Sequence, residues 1–353
     1  MADGGSKTEK QFEATGFFRI EKDEERWRII DPSGRNFISI GLNHAEETNL
    51  KYPHNFDIWK EKYGSREKWI ASGVVADLQQ WGFNTIGWTQ DWMTSELRHG
   101  RGWTRRDFEI ADMPYCVVLP IAEIEEYNAH PFYPDVFSRE FDEYCDYLAR
   151  SICVDHAEDK NLLGYFLADV PAWGGHRTGA CFPEHNSNLG DIAAKYYETA
   201  CGYIRKYDPN HLIFGDRYNG NSGVNEEALE AMKPFVDVLS VQYLGACENI
   251  VSDMRKWQAA CDKPALLADF GCRCPTHFRP SAHDKGIVTQ ADRADLYIRI
   301  LTQLLQEPWF VGWHWCSYIE NPARSNGIKD PWDNPHRDFL GPVGDFNREV
   351  SRM

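Results

Sequence analysis

His211-Leu-Ile-Phe-Gly215, Glu226-Glu-Ala-Leu-Glu-Ala-Met232, Val236-Asp-Val-Leu-Ser-Val241, Ile250-Val-Ser-Asp-Met-Arg-Lys-Trp-Gln-Ala-Ala260 and Ala265-Leu-Leu-Ala268 follow one another between residues 211 and 268. Three of these runs are short, apolar and of strand length; the two between them are amphipathic and of helical period. A βαβαβ succession with predominantly apolar strands means a parallel sheet buried on both faces. Working outward, the same alternation continues. Strand candidates Phe37–Leu42, Phe83–Trp88, Tyr115–Ile121 and Leu162–Leu167 precede it, and Phe310–Trp315 follows, which makes eight. Helical patterns at Glu67–Gln80, Ser138–Val154, Ile192–Tyr207 and Ala291–Leu305 fill the intervals. Eight such units close into a (β/α)₈ TIM barrel, of the α/β class. A doubly wound sheet carries a glycine-rich phosphate loop after its first strand, and Gly41-Leu42-Asn43-His44 is not one.

Before the barrel, Gly16 to Ile30 alternates apolar and polar residues up to the turn signal Asp31-Pro32-Ser33-Gly34. This predicts a short β-hairpin that covers the bottom or one side of the barrel. The expected division is therefore an N-terminal extension and hairpin over residues 1–35 and the barrel over 36–353.

The chain of 353 residues carries a formal charge of −16, which speaks against a nucleic-acid partner, since phosphate contacts need basic surface. One stretch runs the other way: Arg98, His99, Arg101, Arg105 and Arg106 surround Trp103. No run is apolar for long enough to span a membrane. Met1 to Lys10 is polar, without the apolar region of a signal peptide, so the compartment stays open between cytoplasm and secretion with a signal removed. The ten cysteines are scattered except Cys272 and Cys274, which with His277 fall short of a four-ligand metal site; no metal or other cofactor is expected. Aromatic residues reach 14%, with 13 Trp, and flat rings of that kind stack on sugar faces or fill a core. The oligomeric state leaves no mark on the sequence.

In such barrels the chemistry sits where strands end. The first strand ends in Asn43 and His44, with Glu46 and Glu47 beyond. The second leads to Trp88, Gln90, Asp91 and Trp92, and the third to Glu123. The fourth ends in Asp169-Val170-Pro171-Ala172-Trp173, the fifth in Asp216-Arg217, and the sixth in Gln242-Tyr243. The seventh ends in Asp269, and the eighth in Trp313-His314-Trp315, with Glu320 beyond. An Asp after a strand is often just a helix N-cap, and Asp91 fits that role. Asp169 and Asp269 are framed by apolar and aromatic neighbours instead. They lie on strands that face each other across the barrel mouth, and two opposed carboxylates are what glycosidic-bond cleavage requires.

Gly164-Tyr165-Phe166 with Trp173-Gly174, His211-Leu-Ile-Phe-Gly-Asp-Arg217, Val236-Asp-Val-Leu-Ser240 and Gly312-Trp-His-Trp315 resemble, in that order, the β-agarase-like glycoside hydrolases. The resemblance spans roughly Phe37 to Ile328. It implies an acid/base Glu after strand four and a nucleophilic Glu after strand seven. This chain has Val170 at the first position, with Asp169 where the family has Asn, and Asp269 at the second. Valine donates no proton, and Asp269 is one methylene shorter.

Three readings follow. The first is a glycoside hydrolase on a poly- or oligosaccharide, neutral or anionic, using Asp169 and Asp269, with Asp216, Glu320 or Glu248 as substitutes. The second is lyase-type β-elimination from a uronate, with Tyr243 or His44 as base and arginines among Arg217, Arg273, Arg279 and Arg324 holding the carboxylate; the same arginines equally suit sulfate or uronate groups on a hydrolase's substrate. The third is a barrel that binds glycan without catalysis. Under all three, Trp88, Trp92, Trp173, Trp313 and Trp315 are expected as stacking platforms, while Trp81 and Trp309, nearer strand starts, are expected in the core. Asn43, His44, Asp216, Arg217, Gln242, Tyr243, His314 and Glu320 complete the expected substrate contacts.

Overall fold

A computed structural model of the chain describes residues 12–24, 26–93, 98–122, 124, 134–173, 188–245, 248–276, 278–281, 283–322 and 324–353, with Trp92, Met93, His99 and Gly100 described in their backbone alone. The chain enters through an antiparallel sheet, β1 (Arg19–Asp23), β2 (Arg26–Ile30) and β3 (Asn36–Phe37). Eight parallel strands then close into a barrel. They are β4 (Ser39–Leu42), β5 (Thr85–Ile86), β6 (Tyr115–Val118), β7 (Leu162–Asp169), β8 (Leu212–Asn219), β9 (Leu239–Leu244), β10 (Ala265–Gly271) and β11 (Phe310–Trp315). Each pairs with the next in chain order, and β11 pairs with β4.

The eight strands are those expected, with shifted ends. Phe37 belongs to the antiparallel sheet, so the predicted hairpin has a third strand. Strands β7, β8 and β10 run past their predicted ends to Asp169, Asn219 and Gly271. The barrel pairing therefore holds the candidate acids Asp169 and Asp269 directly, and Asp216 lies within β8 at a slip of its register.

Helices α1 (Arg105–Ala111), α2 (Arg139–His156), α3 (Leu189–Tyr207), α4 (Glu226–Met232), α5 (Ile250–Cys261), α6 (Gln290–Leu304) and α7 (Arg337–Val350) surround the barrel, with further short helical segments from Phe56 to Gln80. Their starts are chemically marked. Ser138, Asn188 and Asn225 each accept a hydrogen bond from a backbone N–H of the first turn, and Thr289 forms a reciprocal capping box with Asp292.

The core has two layers. Between strands and helices lie residues such as Ile213, Val241, Leu267, Tyr297 and Trp313. Inside the barrel lie Leu163, Phe166, Leu212, Phe214, Val238, Leu266 and Val311, joined from below by Phe18 and Ile29 of the N-terminal segment. The Trp27 N–H donates to Pro308 O (2.7 Å), just before β11, and ties the sheet to the lower end. The N-terminal sheet thus covers the bottom.

The eight cysteines among the described residues are buried and unpaired. Cys272 and Cys274 are buried side chains of this kind, and His277 lies outside the described residues. No described helix is long and apolar enough to cross a membrane.

Candidate active site

At the C-terminal ends of the strands a cavity of about 400 Å³ is lined by His44, Asp169, Val170, Gln242, Asp269 and Cys316, together with Arg273, Arg279, Arg324, Ser325 and Asn326. Asp169 closes β7, in register with Arg217 of β8. Its Oδ1 accepts from Arg217 Nε (3.1 Å) and Nη2 (2.7 Å) and from Gln242 Nε2. Arg217 is fully buried and stacks on Trp88, its guanidinium carbon 3.9 Å from the ring centre. Trp88 is thereby a floor for the arginine.

Asp269 is held differently, by an amide. Asn43 Nδ2 donates to Asp269 Oδ1 (2.5 Å) and to Ala268 O (2.9 Å), and Asn43 Oδ1 accepts from the Trp88 N–H (2.7 Å). The residue that follows β4 thus fixes the carboxylate of β10 through a single side chain. Both acids have Oδ1 engaged by side-chain donors of other strands, and both line the same cavity.

His44 stands beside Asp269 in a left-handed backbone conformation (φ 59°), pinned by its N–H to Trp88 O (2.8 Å). Its Nδ1 lies 3.7 Å from Glu46 Oε1. Burial, helped by the charge of Arg324, holds its pKa below the ordinary value, so the ring is neutral near pH 7. Val170 is also left-handed (φ 38°), a conformation that costs a β-branched residue energy. Its N–H donates to Arg217 O (2.9 Å), and its side chain gives the cavity an apolar patch.

Other expected contacts point elsewhere. Asp216 is buried behind the strand, accepting from Trp173 Nε1 (2.9 Å), Tyr197 OH (2.7 Å) and Tyr196 OH (3.3 Å). The cause is a bulge at Gly215 (φ 64°), where the β7–β8 register slips. Phe214 points into the barrel, so simple alternation would put Asp216 there too; the slip turns Arg217 inward instead. Tyr243 OH donates to Asp253 on α5 (2.9 Å). Trp313 Nε1 donates to Tyr297 OH (2.5 Å) and Trp315 Nε1 to Asn326 O (3.0 Å). Trp173, Trp313 and Trp315 are therefore buried packing groups, and they do not line the cavity. His314 lies inside the barrel below it, Nε2 2.9 Å from Ser39 Oγ, with burial pushing its pKa down to about 3. Only a glycine at 41 leaves room for that ring: a Cβ there would sit 2.2 Å from His314 Cδ2. Glu320 is buried and takes a hydrogen bond from His336 Nε2 (2.9 Å), away from the cavity lining.

Trp81 and Trp309 are in the core, as expected. The side chain of Trp92 and all of Glu123 lie outside what is described. In the Arg98–Arg106 stretch, Arg105 pairs with Asp159 and Arg106 with Glu109, while Arg98 covers the ring of Phe56. None of them lines the cavity.

Cys316, Ser325 and Asn326 are cavity residues that were not singled out in the sequence. Cys316 had a signal: it is two residues past His314 and so shares its inward face. Side-chain ligand atoms of His44, Asp269 and Cys316 lie within 4.8 Å of one another and are the described residues best placed to hold a metal ion. Against this, Arg217 and Arg324 both act electrostatically on Cys316, a field that opposes a divalent cation.

No family model matches the chain. Among curated proteins it is similar to β-agarase B of Vibrio sp. (strain JT0107), 22% identical over an alignment covering 98% of this chain and 49% of that protein. β-Agarase A of the same strain is 28% identical over 40% of this chain and 14% of its own length. The chain thus spans about half the length of the first relative and less of the second. Among solved structures, an agarase superposes with a TM-score of 0.76 at 19% identity, covering 99% of this chain and 65% of that one. An exo-β-agarase gives 0.75 at 17%, covering 96% and 66%. The fold is shared with both of these structures.

Proposed function

We propose that this chain is a glycoside hydrolase acting on a poly- or oligosaccharide, with Asp269 and Asp169 as its carboxylate pair. One observation carries the reading: the two acids, from the fourth and seventh barrel strands, meet on one cavity, each steadied through Oδ1 by a side-chain donor from elsewhere on the barrel rim. Asp269 occupies the position of the nucleophile in the resembling family and attacks the anomeric carbon or activates a water. Asp169 faces it as the second carboxylate, next to the valine that stands at the acid/base position. The similarity to β-agarases over nearly the whole chain supports the same class of reaction. Elimination is less well served, because Tyr243 is spent on Asp253 outside the barrel, leaving His44 as the base of the expected two.

The test is a screen of agar-type, sulfated and uronate polysaccharides that follows new reducing ends and the ultraviolet absorbance of unsaturated sugars together. Reducing ends without absorbance are expected, with activity lowered at least a thousandfold in Asp269→Asn and Asp169→Asn. Absorbance rising with the reducing ends would replace hydrolysis by elimination. Full activity in a folded Asp269→Asn would remove that residue from the mechanism.

A further inference from the structure

On a chain of net charge −16, the cavity lining carries three arginines against two carboxylates. The reversal is confined to one side of the mouth. Arg273 and Arg279 come from the segment after β10, and Arg324 from the segment after β11. Two of the charged groups in and around the cavity are already balanced. Arg217, under the floor, is paired with Asp169, and Arg273 is gripped by Asp284 (Nη2–Oδ1 2.8 Å, with its N–H 2.6 Å from Oδ2). Arg279 is different: its guanidinium donates to a neutral acceptor, Pro322 O (2.9 Å). Arg324 lies close enough to act electrostatically on His44, Glu46 and Cys316, so its charge reaches the catalytic end of the cavity. Beside it Ser325 is buried, and its hydroxyl has no hydrogen-bond partner among the described residues. A buried, unsatisfied hydroxyl costs free energy unless something fills its bond.

We infer that Arg279, Arg324 and Ser325, braced by Arg273, form an oxyanion subsite that takes a sulfate ester or carboxylate on the sugar bound next to Asp269. Guanidinium groups recognise both substituents through paired N–H donors, and the loops after the last two strands of such barrels are a natural seat for an anion. The inference rests on the hydrolase reading for the sugar's position, and on the cavity's charge for the anion.

The test measures binding by calorimetry, independent of turnover. Probes are inorganic sulfate and three tetrasaccharides of one linkage, neutral, sulfated and uronate-bearing. Proteins are the wild type, Arg279→Gln, Arg324→Gln and Arg139→Gln, the last an equal charge change on an exposed helix. An anionic tetrasaccharide is expected to bind about tenfold or more tightly than the neutral one, as one charge-assisted contact supplies. That advantage shrinks to about twofold in Arg279→Gln and Arg324→Gln, survives in Arg139→Gln, and is competed by sulfate. Whether the sulfated or the uronate probe holds it names the substituent. Equal affinity for neutral and anionic probes in the wild type overturns the inference, even if neutral sugar is hydrolysed. Anionic binding without new reducing ends would instead sink the hydrolase reading and leave the subsite standing.

Discussion

Asp216→Asn separates a structural carboxyl from a substrate-binding one. Asp216 is wholly enclosed, and burial pushes its pKa up to about 6, against the pull of Tyr197, Trp173 and Tyr196. Its ordinary value is 3.8. The folded protein therefore holds this proton more tightly than the unfolded chain does. The resulting stabilisation is complete below pH 3.8 and is lost as pH rises through about 6. The gap corresponds to roughly 3 kcal/mol at 1.36 kcal/mol per tenfold step in proton affinity. Asparagine does not titrate, so the variant lacks this slope while sharing every other group. Urea unfolding of both proteins at intervals from pH 4 to 7.5 reads the difference directly. The wild type should gain on the variant by about 2.5 kcal/mol as pH falls across that range, above a constant offset from the amide facing tyrosine and indole donors. A difference that stays flat would mean that Asp216 is not enclosed in this way. Binding of neutral oligosaccharide should be unchanged in the folded variant.

Three further outcomes follow from the packing. Asn43→Ala frees Asp269 and strands the Trp88 N–H and Ala268 O; kcat should fall about a hundredfold with little change in KM, measured at saturating substrate. Arg217→Met leaves Asp169 without its guanidinium and should cost about 3–5 kcal/mol of stability by urea unfolding, more than Arg217→Met combined with Asp169→Asn. Phe18→Ala opens the underside of the barrel and should lower stability by about 3–5 kcal/mol, with KM unchanged because the cavity is at the other end.

The barrel was legible because each strand is a short, mostly apolar run and the helices between them keep their period. The three-strand entry sheet was less so, since Asn36–Phe37 is too short to separate from β4 by pattern. At the site, position along the chain was readable and direction was not. Contiguous runs such as Asp216-Arg217, Gln242-Tyr243 and Trp313-His314-Trp315 were taken together, yet a strand sends neighbours to opposite faces. The inward members are Arg217, Gln242 and His314; their neighbours serve the packing of strands on helices. Alternation alone would still have misplaced Asp216, because the bulge at Gly215 is a matter of register between two strands, which no single run of residues records. Ser325 and Asn326 are loop residues, brought to the cavity by the path of the chain after β11.

The floor built by Phe18 and Ile29 has a kinetic consequence. With the lower end sealed and the barrel's inside packed with side chains, the cavity is a blind end: whatever enters at the mouth leaves by the mouth. A released sugar that lingers occupies the space its successor needs. Under the hydrolase reading proposed above, product and substrate then compete for one mouth, so product inhibition is expected to be competitive, and stronger for a product that keeps an anionic group.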